Sequence, residues 1–299
     1  MAVSGGPDSL ALLLLAHAAL GELCEVATVD HRLRPESAAE ARFVADTAEE
    51  LGLRHETLTV ELAPGNLQAQ ARAARYAALT AWSARRGLPT IATAHHADDQ
   101  AETVIMRLNR GSGLAGLAGI RECTWIAGGS LAVVRPLLGW RKHELEGIAH
   151  GAGLVPVCDP SNKSDDFDRV RIRKALAGAD WLDPVGIAQS ARHAGDADRL
   201  LRQMIGEDFD CCVDAAGEAV SYFPQRSGKV AGYELVFAGV VARILEQCFH
   251  AQPRMSEVHR LVANLGLGAR GSLAGCLAEP AESHEGPVWT FRPEPPRRA

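Results

Sequence analysis

From residue 2 to about residue 150 the chain alternates short β-rich runs with helical ones, a pattern that commits it to a mainly parallel sheet covered by helices. Ala2-Val3 reads as the end of a first strand, 10–20 as its helix, 25–29 as a second strand, and 35–51 as a helix that Gly52 closes. Residues 55–60 alternate as a third strand, 67–86 form a long amphipathic helix ended by Gly87, and 90–94 make a fourth strand. A helix over 98–108, a glycine-rich segment 111–119, a strand over 131–134 and a helix from 142 to about 150 complete the set. The expectation is a doubly wound α/β domain over 1–180. So few residues precede the first glycine loop that either the first strand is short or the start at Met1 is late.

Beyond residue 183 the strand alternation fades and Ala, Leu, Arg and Asp dominate, so a small, mainly helical domain is expected over 181–286. Within it, 213–236 can hold a hairpin, and 240–249 and 256–265 read as helices. Four prolines from Pro287 onward argue against fixed structure over 287–299.

Composition narrows the function. The apolar run 10–16 is too short for a membrane span, which needs roughly 18 to 20 residues. A polar loop rather than basic residues precedes it, so no secretory signal is read and a cytoplasmic protein is expected. Seven scattered cysteines without a C-x-x-C pair suggest neither a disulfide framework nor a structural metal. The net charge of -6 disfavours a protein that simply coats nucleic acid, yet basic residues gather at Arg169, Arg171, Arg173 and Lys174, a local stripe suited to one structured RNA. The oligomeric state is open, a homodimer included.

Five segments carry chemistry. Ser4-Gly5-Gly6-Pro7-Asp8-Ser9 lies between a strand and an apolar helix, where glycines let amides approach phosphate and the helix start adds positive charge. It lacks the features of the Walker and dinucleotide loops, and an ordinary capped glycine turn is the plainer alternative. Asp30 follows the second strand, at the carboxyl end that lines the ligand crevice of such sheets, although Pro35-Glu36-Ser37 also makes a fair helix start by itself. Arg72 and Arg75 share a helix face and can present two guanidinium groups to phosphate, or stand solvated. In His95-His96-Ala97-Asp98-Asp99-Gln100-Ala101-Glu102, Asp99 and Glu102 are one turn apart and make a pocket for an ammonium group, lysine being the natural guess, unless they only cap a helix. Arg107 and Arg110 border the glycine-rich segment, which reads as a loop free to close over substrate or as a plain flexible loop.

These segments resemble the tRNA(Ile)-lysidine synthetase family of PP-loop ATP pyrophosphatases. S-G-G-P-D-S matches the PP-motif, and D-H-R-L-R-P-E-S, A-R-A-A-R-Y, H-H-A-D-D-Q-A-E-T, R-G-S-G-L-A-G-L and D-P-S-N follow in the family's order over roughly 2–175. Val170 stands where an asparagine is expected. The resemblance implies ATP cleaved between its α and β phosphates, with pyrophosphate on residues Ser4 to Ser9, Mg²⁺ near Asp8, and charge on the α phosphate stabilised by Arg75. It implies free L-lysine on Asp99 and Glu102, and tRNA(Ile) with a CAU anticodon contacted by Arg169, Arg171 and Arg173. The alternatives are another PP-loop tRNA-modifying enzyme such as a thiolase, which usually wants paired cysteines, or a non-catalytic RNA-binding protein, which needs none of these acids.

Overall fold

The computed structural model describes residues 1–32, 35–61, 67–157, 168–215, 219–224 and 234–295, with side chains from Gln70 and Arg171 onward in the third and fourth stretches. The chain divides into two compact units, Met1–Gly195 and Asp196–Ala299.

In the first unit α1 (Pro7–Leu20) precedes β1 (Val26–Asp30), α2 (Ser37–Glu50), β2 (His55–Thr59), α3 (Leu67–Arg86), β3 (Thr90–Ala92) and α4 (Ala97–Asn109). A short helix α5 (Leu114–Leu117), β4 (Cys123–Ile126), β5 (Leu131–Val134), α6 (Lys142–Gly151) and α7 (Asp168–Ala177) follow. β1 pairs with β2 and β3 with β5, both parallel, while β4 runs antiparallel to β5. Residues 1–3 join the two sheets: Ala2 bridges Ala27 in parallel, and its amide donates to Ala92 O at 3.0 Å. The expected first strand is thus a single bridge between β1 and β3.

Alternation along β1 sorts the core. Val26 packs with Val3, Leu10, Leu13, Val44 and Leu145, whereas its neighbour Ala27 packs with Leu58, Leu79, Trp82 and Ile91. Helices α1, α2 and α6 therefore contribute to one apolar cluster and α3 to the other, as a doubly wound sheet requires. α1 is apolar on several sides, with Leu10, Ala11, Leu12 and Leu13 all buried, and among the described residues no helix is long and apolar enough to cross a membrane.

The long α8 (Pro184–Cys212) carries the unit boundary, which therefore falls after residue 180 and inside a helix. The second unit adds β6 (Val213–Asp214), β7 (Val220–Tyr222), α9 (Glu234–Phe249), α10 (Met255–Gly266), β8 (Gly271–Leu273), β9 (Cys276–Ser283) and β10 (Gly286–Pro293). The expected helices are present, and β6 and β7 pair as the expected hairpin, but the strands form a five-stranded sheet in the order β6-β7-β10-β9-β8. The stretch from Pro287 to Pro293 is thus ordered, contrary to the sequence expectation. Within β10 only Trp289–Phe291 pair with β7, so Pro287 and Pro293 lie where β10 faces β9 alone, and buried Val288, Trp289 and Phe291 hold the strand to the core.

Candidate active site

Three adjacent parallel segments end on the same side of the sheet, and each end delivers polar residues, the arrangement that forms a ligand crevice in open α/β sheets. The first end is the loop from Ser4 to Ser9. It turns on Gly5, whose φ of 84° is left-handed, and a Cβ there would lie 3.4 Å from both Val157 and Val44. Ser9 Oγ accepts from the Ser4 amide at 3.1 Å and donates to Gly6 O at 2.9 Å, so the loop is held in shape by its own hydroxyl. α1 starts on Gly6 without a side-chain cap, with Pro7 in its first turn. Asp8, also in that turn, has a buried Oδ1 with no hydrogen-bond partner. An orphaned carboxylate oxygen beside an anion cradle fits a hard cation such as Mg²⁺, which takes one or two protein carboxylates and otherwise phosphate and water.

The second end is Asp30, buried at 9% exposure, whose Oδ1 accepts from the Arg32 amide at 2.8 Å. His31 beside it has a buried, unpartnered Nδ1, and burial together with the nearby Arg75 holds its pKa low, with Asp30 acting against them. Arg75 is itself lowered by burial and by Arg72. Both guanidinium groups lie beside Tyr76, Arg72 5.1 Å and Arg75 5.9 Å from the ring centroid.

The third end, beyond β3, carries the two histidines, and they differ in charge. His95 Nδ1 lies 3.0 Å from Thr93 Oγ1, and burial, reinforced by Arg135, Arg75 and Arg72 against the pull of Asp99, brings its pKa down to about 4. His96, 5% exposed, caps α4 and lies within ion-pair distance of three carboxylates: Asp8 at 3.6 Å, Asp98 at 3.6 Å and Asp99 at 3.5 Å. Burial alone would lower its pKa, but the neighbouring carboxylates of Asp8, Asp98 and Asp99 outweigh it and raise it to about 10. The 3.4 Å approach of the Asp99 amide to Nδ1 would suit a neutral ring, yet it is long for a hydrogen bond, and the surrounding carboxylates make the imidazolium the better assignment. Asp98 faces away from this cluster in part, taking the Lys142 amide at 2.8 Å and Arg141 at 3.3 Å, and its pKa is held low by these contacts and by His96 against the effect of burial.

Glu102, one turn after Asp99 and 3% exposed, is paired with Arg173 of α7 at 2.6 Å, so one residue expected to hold lysine and one expected to hold tRNA meet in one ion pair. Arg107 Nη1 donates to Gly116 O and Gly119 O, both at 2.9 Å. Gln100 adds a two-way amide pairing with Ile120, donating at 2.9 Å and accepting at 2.6 Å. The glycine-rich segment, expected to be free, is therefore pinned and contains α5. Arg110 and Arg171 are exposed, and the Arg169 side chain and the segment 158–167, with Asp159-Pro160-Ser161-Asn162, lie outside the described residues. Sequence reasoning did not assign His96 its place among the acids; an aspartate three residues after a residue at a helix start, the reciprocal capping pattern, was the available signal.

The PP-loop domain family matches residues 1–179. A tRNA(Ile)-lysidine synthase of Novosphingobium aromaticivorans is 43% identical over all of this chain and 90% of its own length. The chain belongs to the tRNA(Ile)-lysidine synthase family. Lysidine synthases of Zymomonas mobilis and Methylobacterium nodulans are 36% and 37% identical, again over the whole chain and 89% and 91% of their own lengths. A U34-tRNA thiolase from Methanococcus maripaludis, solved with its [4Fe-4S] cluster, superposes with a TM-score of 0.55 at 19% identity, covering 68% of this chain and 70% of that one, a likeness of fold. For a lysidine synthase the PP-loop domain supports the use of ATP.

Proposed function

We propose that the chain is an AMP-forming ligase that joins free L-lysine to C2 of the wobble cytidine in the CAU anticodon of tRNA(Ile). The supporting observation is the meeting of a glycine cradle, an orphaned Asp8 oxygen and the Asp99–Glu102 acids at adjacent strand ends, in a chain of this family.

In the first step the cytidine O2 attacks the α phosphorus of ATP and pyrophosphate leaves. Loop amides and the Ser4 hydroxyl hold the departing phosphates, and Arg75 offsets charge at the α phosphate. Asp8 would hold Mg²⁺, which supplies charge neutralisation to the phosphates when bound. In the second step the lysine side-chain amine attacks C2, AMP leaves, and the amine gives up a proton. Asp99 and Glu102 orient the lysine, and Asp30 lies at the rim of the reacting centre. Arg110, Arg169 and Arg171 supply cations for RNA phosphate, and the target base is displaced from its stack to reach the site.

The test combines purified protein, ATP, Mg²⁺ and labelled lysine with two transcripts, an isoleucine tRNA and a methionine tRNA that both carry CAU. Lysine transfer and AMP release with the isoleucine tRNA alone are expected. ATP binding without transfer to either tRNA would refute the proposed substrate.

A further inference from the structure

Nε2 of His96 lies 3.6 Å from Asp8 Oδ2 and 3.5 Å from Asp99 Oδ2, two carboxylates that serve different substrates in the reading above. Facing two acceptors, this nitrogen must carry a hydrogen, and it has only one to give. Both separations exceed a hydrogen bond, so the donor is committed to neither acid. The other edge of the ring is anchored. His96 is the first residue of the α4 cap, its Nδ1 lies 3.6 Å from Asp98, and Asp98 is fixed in turn by Arg141 and the Lys142 amide. Only the partner of Nε2 is left to vary. Arg173, within electrostatic reach of both acids, is bound to Glu102.

We infer that His96 is a positioning residue that couples the two subsites: a cation engaging Asp8 releases the Nε2 hydrogen to Asp99, fixing that carboxylate for lysine. The inference rests on the proposed ATP and lysine reading. It makes nucleotide binding tighten lysine binding, and by linkage the reverse. Added to the bond that Asp99 Oδ2 takes from the His96 amide at 3.3 Å, the Nε2 hydrogen removes part of the ordering cost that lysine would otherwise meet.

The experiment titrates L-lysine calorimetrically into the full chain carrying its tRNA transcript, with and without α,β-methylene-ATP and Mg²⁺. In the wild type the nucleotide should tighten lysine binding by about fivefold or more. In His96→Asn, which keeps a residue suited to a helix start but does not reach the Nε2 position, the ratio should fall toward one while circular dichroism shows the fold retained. His96→Gln, whose amide reaches further, should restore part of it. Equal lysine affinity with and without nucleotide in the wild type, or an unchanged ratio in His96→Asn, overturns the coupling and leaves the substrate reading standing. Absence of lysine binding under every condition removes that reading and the coupling together.

Discussion

Arg173 grips Glu102 at two points across 71 residues of sequence, Nε to Oε1 at 2.6 Å and Nη2 to Oε2 at 3.3 Å. Glu102 is buried on the helix that starts at His96, while the Arg173 side chain is 40% exposed. Such a pair is a bond between α4 and the basic helix, so α7 is tied to the helix that carries the proposed lysine acids.

Arg173→Met takes this two-point cation from a buried carboxylate. A loss of roughly 2 kcal/mol is expected, below the 3–5 kcal/mol of fully buried pairs because water reaches the arginine. The double variant Arg173→Met/Glu102→Gln should recover most of it. Urea denaturation of the four proteins closes the cycle, and additive single effects would show that the pair contributes no coupling.

The two histidines predict a stability maximum near neutrality. His95 titrates at about 4 when folded against 6.5 unfolded, so between these values the unfolded chain holds the extra proton and stability falls as pH drops. His96 titrates at about 10 against 6.5, so its contribution is full below 6.5 and is lost as pH rises to about 10. Each limb is on the order of a few kcal/mol. Urea midpoints in Mg²⁺-free buffer should peak near pH 6.5, with His95→Gln flattening the acid limb and His96→Asn the alkaline one.

Gly5→Ala tests the cradle. The left-handed φ costs an alanine about 1–2 kcal/mol, and its methyl would press on Val157 and Val44 at 3.4 Å. ATP affinity should fall by about tenfold or more, the equivalent of 1.4 kcal/mol, with the fold retained in circular dichroism. Unchanged ATP binding would mean that phosphate does not depend on this turn.

Much of the first unit was legible because local pattern and chemistry coincide there. α3 and β5 have the bounds that periodicity suggested, and the polar residues after β1 and β3 are where a parallel sheet places ligand groups. What escaped depended on distant partners. β4 is half exposed and gains its place only by pairing with β5, and β10 hides behind prolines that are harmless because its ends have a single neighbour. Arg173 looked like an RNA contact because a sequence shows its charge and not the buried acid it meets. The role proposed for His96 was invisible for the same reason, since two of its three acids are local but Asp8 comes from the adjacent strand end, far off in sequence.

Arg107 was read as a phosphate contact, and its bonds to Gly116 O and Gly119 O point to a different role. A guanidinium that satisfies two carbonyls of a glycine-rich segment offsets the backbone entropy that glycines add. Gly119, at φ 59°, sits where a Cβ would come within 2.3 Å of Gln100 Oε1, so Gln100 can pair with Ile120 only because residue 119 has no side chain. Arg107→Ala should therefore raise hydrogen exchange at the amides of 116–120 by about tenfold, since losing about 1.4 kcal/mol of local stability multiplies the open population by that factor. Lysine transfer should fall while ATP affinity stays within about twofold, because the cradle proposed for ATP is residues 4–9 and not this segment. If ATP affinity falls in step with transfer and exchange is unchanged, Arg107 is a phosphate ligand after all.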